Sequence, residues 1–413
     1  MRRLALSLLT GCAIAWGSQG AAHATDVLFP SWQWGEAPSP LAQLKVEFEK
    51  AYPGDTIKSV TTPYDSFFDK QYSEVSSGTP ADIVTMFSPE IAQYMKKDLL
   101  VPLDKYVDAS GISRDKLNPS NKLAIKDGHI YGIMLLVNPR ALLMNGQMLK
   151  DAGVSVPTNV DEFLAAIKKL HNPSKQEFGF ASWAASGAAG DLYLEIAPIV
   201  AGFGGQWFTD GKPTANSQEI IAALSFLQTL YKDGLVPRVN GDTSRQMFVN
   251  GKLAMNINGP YLAGFTAEQN KGTFQNLETT TLPLPAHRTT AVTVFLGIPK
   301  HAKNEEAAGR AITTLLKPEV QKYIVETYKS IPAVNGSVSQ EFLSKNPWFE
   351  AFVKAADTSV SFAPQGAEEY GPEIYNIVGP AVEDILFNDK DVHQAANELQ
   401  QQLEDFIAKK KAN

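Results

Sequence analysis

Residues 248–261, FVNGKLAMNINGPY, decide the fold. The stretch begins as a short helix-turn at Phe248, and Asn250-Gly251 is a pair suited to left-handed backbone. Leu253-Ala-Met-Asn-Ile-Asn258 is short enough for a buried strand. Gly259-Pro260 stops that strand and starts a helix, since proline fits the first helical position. A strand feeding straight into a helix N-terminus leaves a rim of free backbone N–H groups at its carboxyl end. Open α/β sheets bind ligands at such rims. Tyr261 stands on the rim, where its ring can face a cleft. The competing reading is an ordinary strand–helix junction with a core tyrosine.

Outward from this point, strands and helices alternate. Residues 26–32 (DVLFPSW) read as a first strand, and Ser39-Pro40 starts a helix with Leu41, Leu44, Phe48 and Tyr52 on one face. Residues 56–60 and 81–87 read as further strands, with a helix near 67–75 between them. Residues 129–137 (HIYGIMLLV) lead out of this first region, and Pro139 forces Asn138 into an extended conformation. A second α/β region follows to about Pro285, and the strand near 293–298 leads into an alanine-rich helix. A last helix, 391–408, is expected to bury Val392, Ala396, Leu399, Leu403 and Phe406. The alternation predicts mostly parallel sheets with helices on both faces.

The ends and the composition narrow the class. Arg2-Arg3, an apolar stretch to Trp16 and Ala22-His23-Ala24 read as a signal peptide cleaved after Ala24. The alternative is a lipid anchor through Cys12, the sole cysteine, because Leu9-Thr10-Gly11-Cys12 resembles a lipobox. No later segment has the ~18 apolar residues that a membrane span requires. Without Arg2 and Arg3 the balance is 35 basic against 44 acidic residues, which argues against nucleic acid. The length predicts at least two domains.

The motifs, taken in order, resemble those of bacterial extracellular solute-binding proteins of the maltose-binding-like, carbohydrate-uptake group. Residues 248–261 are similar to its F…G…AM.INGPW segment, with Tyr261 in place of the aromatic that lies against sugar. Ser31-Trp32-Gln33-Trp34-Gly35 resembles the loop that opens the ligand site, and Pro80-Ala81-Asp82-Ile83-Val84 the PD(I/V) strand, with Phe87 and Ser88 facing the cleft. Tyr131-Gly132-Ile133 resembles a lobe crossing in which Met134 replaces the usual proline. Asp191-Leu192-Tyr193 with Gly204-Gly205 resembles a sugar-contacting segment of the second lobe. Pro364 to Tyr370 resembles the RP…Y element, but its arginine is absent and Gln365 lies nearby.

The resemblance implies a two-lobed periplasmic-binding-protein fold, each lobe a mostly parallel sheet flanked by helices, joined by a hinge. It implies an N-terminal lobe of residues 25–137 plus 294–345 and a C-terminal lobe of 138–293 plus 346–413. It further implies a monomer in the periplasm that carries a carbohydrate ligand to an inner-membrane ABC permease with its ATPase.

A sugar presents apolar C–H faces and a ring of hydroxyls, which flat aromatics and polar groups recognise. The candidates are Trp32, Trp34, Tyr64, Phe87, Trp183, Tyr193 and Tyr261, with Glu36, Asp65, Asp82, Asp191, Asn258, Gly259 and Gln365. Asp82 has a competing role as a helix cap. No histidines have metal-ligand spacing, and no nucleophile elbow, P-loop or dinucleotide fingerprint is present, so neither catalytic residues nor cofactors are expected. Two alternatives remain. Paired cleft carboxylates such as Glu36 and Asp82 could act on a glycoside. Arg140, Arg245 and Arg288 could clamp an anionic ligand, against a default of surface salt bridges.

Overall fold

The computed structural model describes residues 25–181 and 189–412. Residues 1–24, with the signal sequence and Cys12, lie outside the described residues, as does Trp183. The side chains of Asp65 and Asp191 lie outside them too, although both backbones are helical.

Two sheets organise the chain. In the first, Ile133–Pro139 lies between Ile331–Pro332 and Thr289–Gly297, and Thr289–Gly297 also pairs with Val84–Met86 and Ser359–Ser361. In the second, the order is Leu277–Thr280, Ala141–Asn145, Leu253–Asn258, Phe178–Ala181. Asp26–Ser31 and Thr56–Thr61 form a parallel pair beside the first sheet, tied to it by the Asp82 and Ile83 N–H groups on the Leu28 carbonyl. All residues of Ile133–Pro139, Ala141–Asn145 and Leu253–Asn258 are buried, so continuous apolar runs mark the strands covered on both faces.

The expectation of mostly parallel sheets is corrected. Each sheet has one parallel pair, and its remaining pairs are antiparallel. The cause is the connectivity. The chain leaves the first sheet along Ile133–Pro139 and enters the second along Ala141–Asn145 with only Arg140 between them. Thr289–Gly297 returns beside the outgoing strand, and an outgoing and a returning strand that lie side by side must run antiparallel.

Helices cover the sheets and carry the sequence signals for their boundaries. Asn159 caps Val160–Leu170 through the Glu162 N–H, and Phe163, Ala166, Ile167 and Leu170 form its buried stripe. Asn240 caps Gly241–Val249 through the Thr243 N–H. The last helix, Val392–Ala412, buries Val392, Ala396, Leu399 and Leu403 as expected, but Ile407 rather than Phe406 takes the next buried place. Among the described residues no helix is long and apolar enough to cross a membrane.

Candidate ligand-binding site

The site grows from the end of Leu253–Asn258. Tyr261 opens the helix Tyr261–Gln269, and its ring folds back over Gly259. A Cβ at residue 259 would stand 2.7 Å from the Tyr261 ring and 3.0 Å from the Asn138 Cβ, so only glycine leaves the ring its place. Arg140, at the passage between the sheets, donates from Nη1 to the Asn258 side-chain oxygen at 2.9 Å and to the Tyr261 hydroxyl at 3.1 Å. Asn258 also accepts from the Gly259 N–H and donates to Asn256. The asparagines of the NIN sequence are therefore an amide relay that holds the guanidinium at the strand end.

Arg140 is only 6% exposed. Its Nη2 stands 3.6 Å from Glu195 Oε1, an ion-pair distance but too long for a hydrogen bond. Burial alone would pull the guanidinium pKa down, but Tyr261 and Glu195 outweigh it and hold it above its ordinary value. Burial pushes the Glu195 carboxyl up, against the opposing pull of Arg140 and Arg245.

The first sheet's side of the cleft supplies Glu36, Tyr328, Trp32 and Tyr64. The Tyr328 hydroxyl donates to Glu36 at 2.8 Å. Burial pushes the Glu36 pKa up to about 7, and the Tyr328 hydrogen bond and Arg245 offset only part of that. Arg245 binds Asp242 on its own helix and acts electrostatically on Tyr261, Glu195, Glu36 and Tyr328. Trp32 packs edge-on against Tyr64, Phe67 and Phe87, with centroids 5.4, 5.0 and 5.5 Å away. Arg140 and Arg245 thus stand among Glu36, Glu195 and Asp242, which come from separate segments of the chain.

Trp32, Glu36, Tyr64, Asn258, Gly259 and Tyr261 come together here. Other candidates do not. Asp82 is corrected to a structural role: it is 3% exposed, and its carboxylate accepts from the N–H groups of Leu28 and Asn304 and from the Asn304 side chain. It ties the first strand to the start of the helix Glu305–Thr314, which is the cap role weighed against ligand contact. Trp34 turns away, donating from Nε1 to the Phe29 carbonyl at 2.8 Å. Tyr193 is buried, stacks 4.1 Å from Tyr375 and donates to the Phe362 carbonyl. Phe87 is buried among Trp32, Phe68 and Phe362. Gln365 is exposed and lines a cavity of about 830 Å³ to which Tyr193, Trp207 and Phe362 also contribute.

Arg140 overturns the surface default, whereas Arg288 is exposed. Glu195 and Tyr328 were not singled out from the sequence. The signal for the buried pair lay in the runs IMLLVNPRALLMN and LYLEIAPIVAG, each a single charge in an apolar segment. Among the described residues no group of three or more His, Cys, Asp and Glu side chains could hold a metal ion.

A family model for the bacterial extracellular solute-binding proteins matches residues 32–322. The chain belongs to this family. This solute-binding protein is 24% identical to a binding protein of Brucella abortus over 384 residues, 88% of this chain and 89% of the other. It is 24% identical to the galactooligosaccharide-binding protein of Bacillus subtilis over 76% of this chain and 75% of that one. A solved ABC-transporter solute-binding protein of Thermotoga lettingae, bound to α-D-tagatose, superposes with a TM-score of 0.83 at 18% identity. The match covers 93% of this chain and 99% of that one, and it establishes the two-lobed fold.

Proposed function

We propose that this protein is the substrate-binding component of an ABC uptake transporter and holds a sugar or polyol between its lobes. The observation that carries the reading is the corner where Tyr261, Arg140, Asn258 and Glu195 meet Glu36 and Tyr328 from the opposite side. An aromatic ring beside an Arg–Glu pair that is close but not hydrogen-bonded suits a vicinal diol. One hydroxyl oxygen accepts from the guanidinium while a hydroxyl proton goes to the carboxylate. Each guanidinium already has a carboxylate partner, Glu195 for Arg140 and Asp242 for Arg245, which favours an uncharged ligand over the anionic alternative.

In this reading the domains are residues 25–137 plus 294–345 and residues 138–293 plus 346–413, and they close by a hinge motion about the crossing strands. The monomer acts in the periplasm after cleavage at Ala24 and delivers its ligand to a permease with an associated ATPase. The chain performs no chemistry: Glu36 is engaged by Tyr328 and Glu195 by Arg140, so both carboxylates serve as fixed binding groups.

Titration calorimetry over sugars, alditols and sugar acids tests this, with a parallel assay for hydrolysis products. Saturable one-to-one binding without turnover is the expected result, and a ligand at about 100 times its dissociation constant adds about 2.7 kcal/mol of stability. Tyr261→Ala removes most of that gain. Steady product formation would establish the glycoside-acting alternative instead.

A further inference from the structure

We infer that Gly371 sets how far the cleft closes: its missing side chain admits Pro89 from the opposite lobe, and a side chain at residue 371 holds the lobes apart. The inference rests on the lobes and the hinge proposed above. Gly371 opens the helix Gly371–Phe387 with φ −49° and ψ −55°. That is ordinary right-handed helix, open to residues with a side chain. Glycine is also the residue that loses most conformational freedom on folding. The backbone therefore does not call for a glycine here, but the surroundings do. A Cβ at residue 371 would stand 2.7 Å from the Pro89 Cβ and 3.4 Å from the Pro89 Cγ. The Tyr375 hydroxyl, from the same helix, would be 3.3 Å away. The closest approach is thus made by the other side of the cleft.

Little can give way locally. Pro89 is buried in the first turn of the helix Ser88–Lys96, and its ring has no side-chain torsion that could swing it aside. That helix buries Ile91, Tyr94 and Met95 and packs on Val84–Met86 and Thr289–Gly297 of the first sheet. Gly371–Phe387 packs instead on the helices Ala189–Gly202, Gln218–Lys232 and Val392–Ala412. Each helix is anchored in its own half of the molecule, and close-packed interiors pass a displacement on rather than absorb it. The chain passes from the first sheet to the second through the single residue Arg140. Rotation about the crossing strands is therefore the softest way to relieve an added Cβ. Such a rotation parts the groups that a ligand would bridge, with Glu36 and Tyr328 on one side and Arg140, Asn258 and Tyr261 on the other.

Calorimetry on the full exported chain tests this, first with D-glucose, D-galactose, D-tagatose, D-mannitol and maltose, then with Gly371→Ala against whichever of them binds most tightly. The variant should bind at least about fivefold more weakly, the loss that an overpacked Cβ imposes on closure at the low end of its usual cost. Its melting temperature without ligand should match that of the natural protein, because the open form does not use the contact. Small-angle scattering at saturating ligand should give the variant a larger radius of gyration than the natural chain. Pro89→Gly added to Gly371→Ala removes the opposing Cβ and should restore most of the lost affinity. Unchanged affinity or an unchanged radius in Gly371→Ala overturns the inference and leaves the proposed function standing. A Gly371→Ala chain that does not fold overturns it too, since a contact relieved by opening costs no stability. So does a folded double variant that binds no better than the single one. A natural chain that binds none of these compounds overturns the proposed function and the closure stop with it.

Discussion

The polar corner around Tyr261 and the aromatic cluster around Phe87 are built in opposite ways. Around Tyr261 the lining is polar and its groups are fixed by one another: Arg140 by Asn258 and Tyr261, Asn258 by Asn256, Glu36 by Tyr328. Around Phe87 the lining is a packed series of rings. If the polar corner is the ligand site proposed above, its donors and acceptors are held at set positions before any ligand arrives. The rings around Phe87 are held by packing and offer few polar groups. Affinity should therefore respond chiefly to changes at the polar corner, and stability to changes at both.

Removing Arg140 should break this contrast most severely. Arg140→Ala takes from Glu195 its ion-pair partner, leaving only the more distant pull of Arg245, and removes one of the two donors to the Asn258 side-chain oxygen. Breaking a buried pair from one side costs about 3–5 kcal/mol, and urea unfolding of the variant should show a loss of that order. Arg140→Met combined with Glu195→Leu should recover most of the stability, because no charge is then stranded, while ligand binding stays abolished. If the double variant is no more stable than the single one, the pair is not what the polar end depends on.

Each region also contains a half-buried carboxyl, which allows a comparison by pH. Desolvation raises Glu36 to about 7 at the polar corner and Glu90 to about 7 beside Phe87. Both folded values exceed the ordinary 4.5, so the folded protein holds these protons more tightly than the unfolded chain. Their stabilisation is complete below about pH 4.5 and is lost as pH rises through about 7. Each should contribute on the order of 1–3 kcal/mol across that window. Other groups add their own slopes, so the measurement is the difference in unfolding free energy between the natural protein and Glu36→Gln or Glu90→Gln at several pH values. The two variants should each flatten the profile. Parallel profiles for variant and natural protein would contradict the assignment.

Much of the fold was legible in the sequence, and less of the site. Leu253–Asn258 and Gly259-Pro260 announce a strand running into a helix because apolar continuity and the two breakers are local properties. The antiparallel crossings were not legible, since strand direction depends on which strands meet in space. Tyr261 was readable from its place on the rim. Asp82 was not resolved, because a carboxylate at a strand start serves a cap and a ligand equally well until its partners, Leu28 and Asn304, are known. Arg140, Glu195 and Tyr328 come from three distant segments. A lone charge in an apolar run signals a buried partner without naming it.

Gly259→Ala sharpens the comparison from the polar end without removing a functional group. The added Cβ would overlap the Tyr261 ring at 2.7 Å, and the ring would have to rotate off the strand end. Overpacking of this kind costs about 1–3 kcal/mol. Because the displaced ring also carries the hydroxyl that accepts from Arg140, ligand affinity should fall more than stability does. Calorimetry beside urea unfolding separates the two. Equal losses would mean that the ring's position matters only for packing.

The smallest effect is expected at the surface beside the aromatic cluster. Lys96 Nζ stands 3.1 Å from Glu369 Oε1 and links the last residue of the helix Ser88–Lys96 to the turn Glu368–Tyr370 that precedes Gly371–Phe387. The lysine side chain is 62% exposed, so the attraction is set against the cost of fixing a long flexible chain in high dielectric. Exposed pairs of this kind are worth about 0.2–1 kcal/mol, and Lys96→Ala should fall at the low end in urea unfolding. A loss well above about 1 kcal/mol in Lys96→Ala would show that this surface ion pair, rather than the aromatic packing beside it, holds the helix Ser88–Lys96 against Glu368–Tyr370.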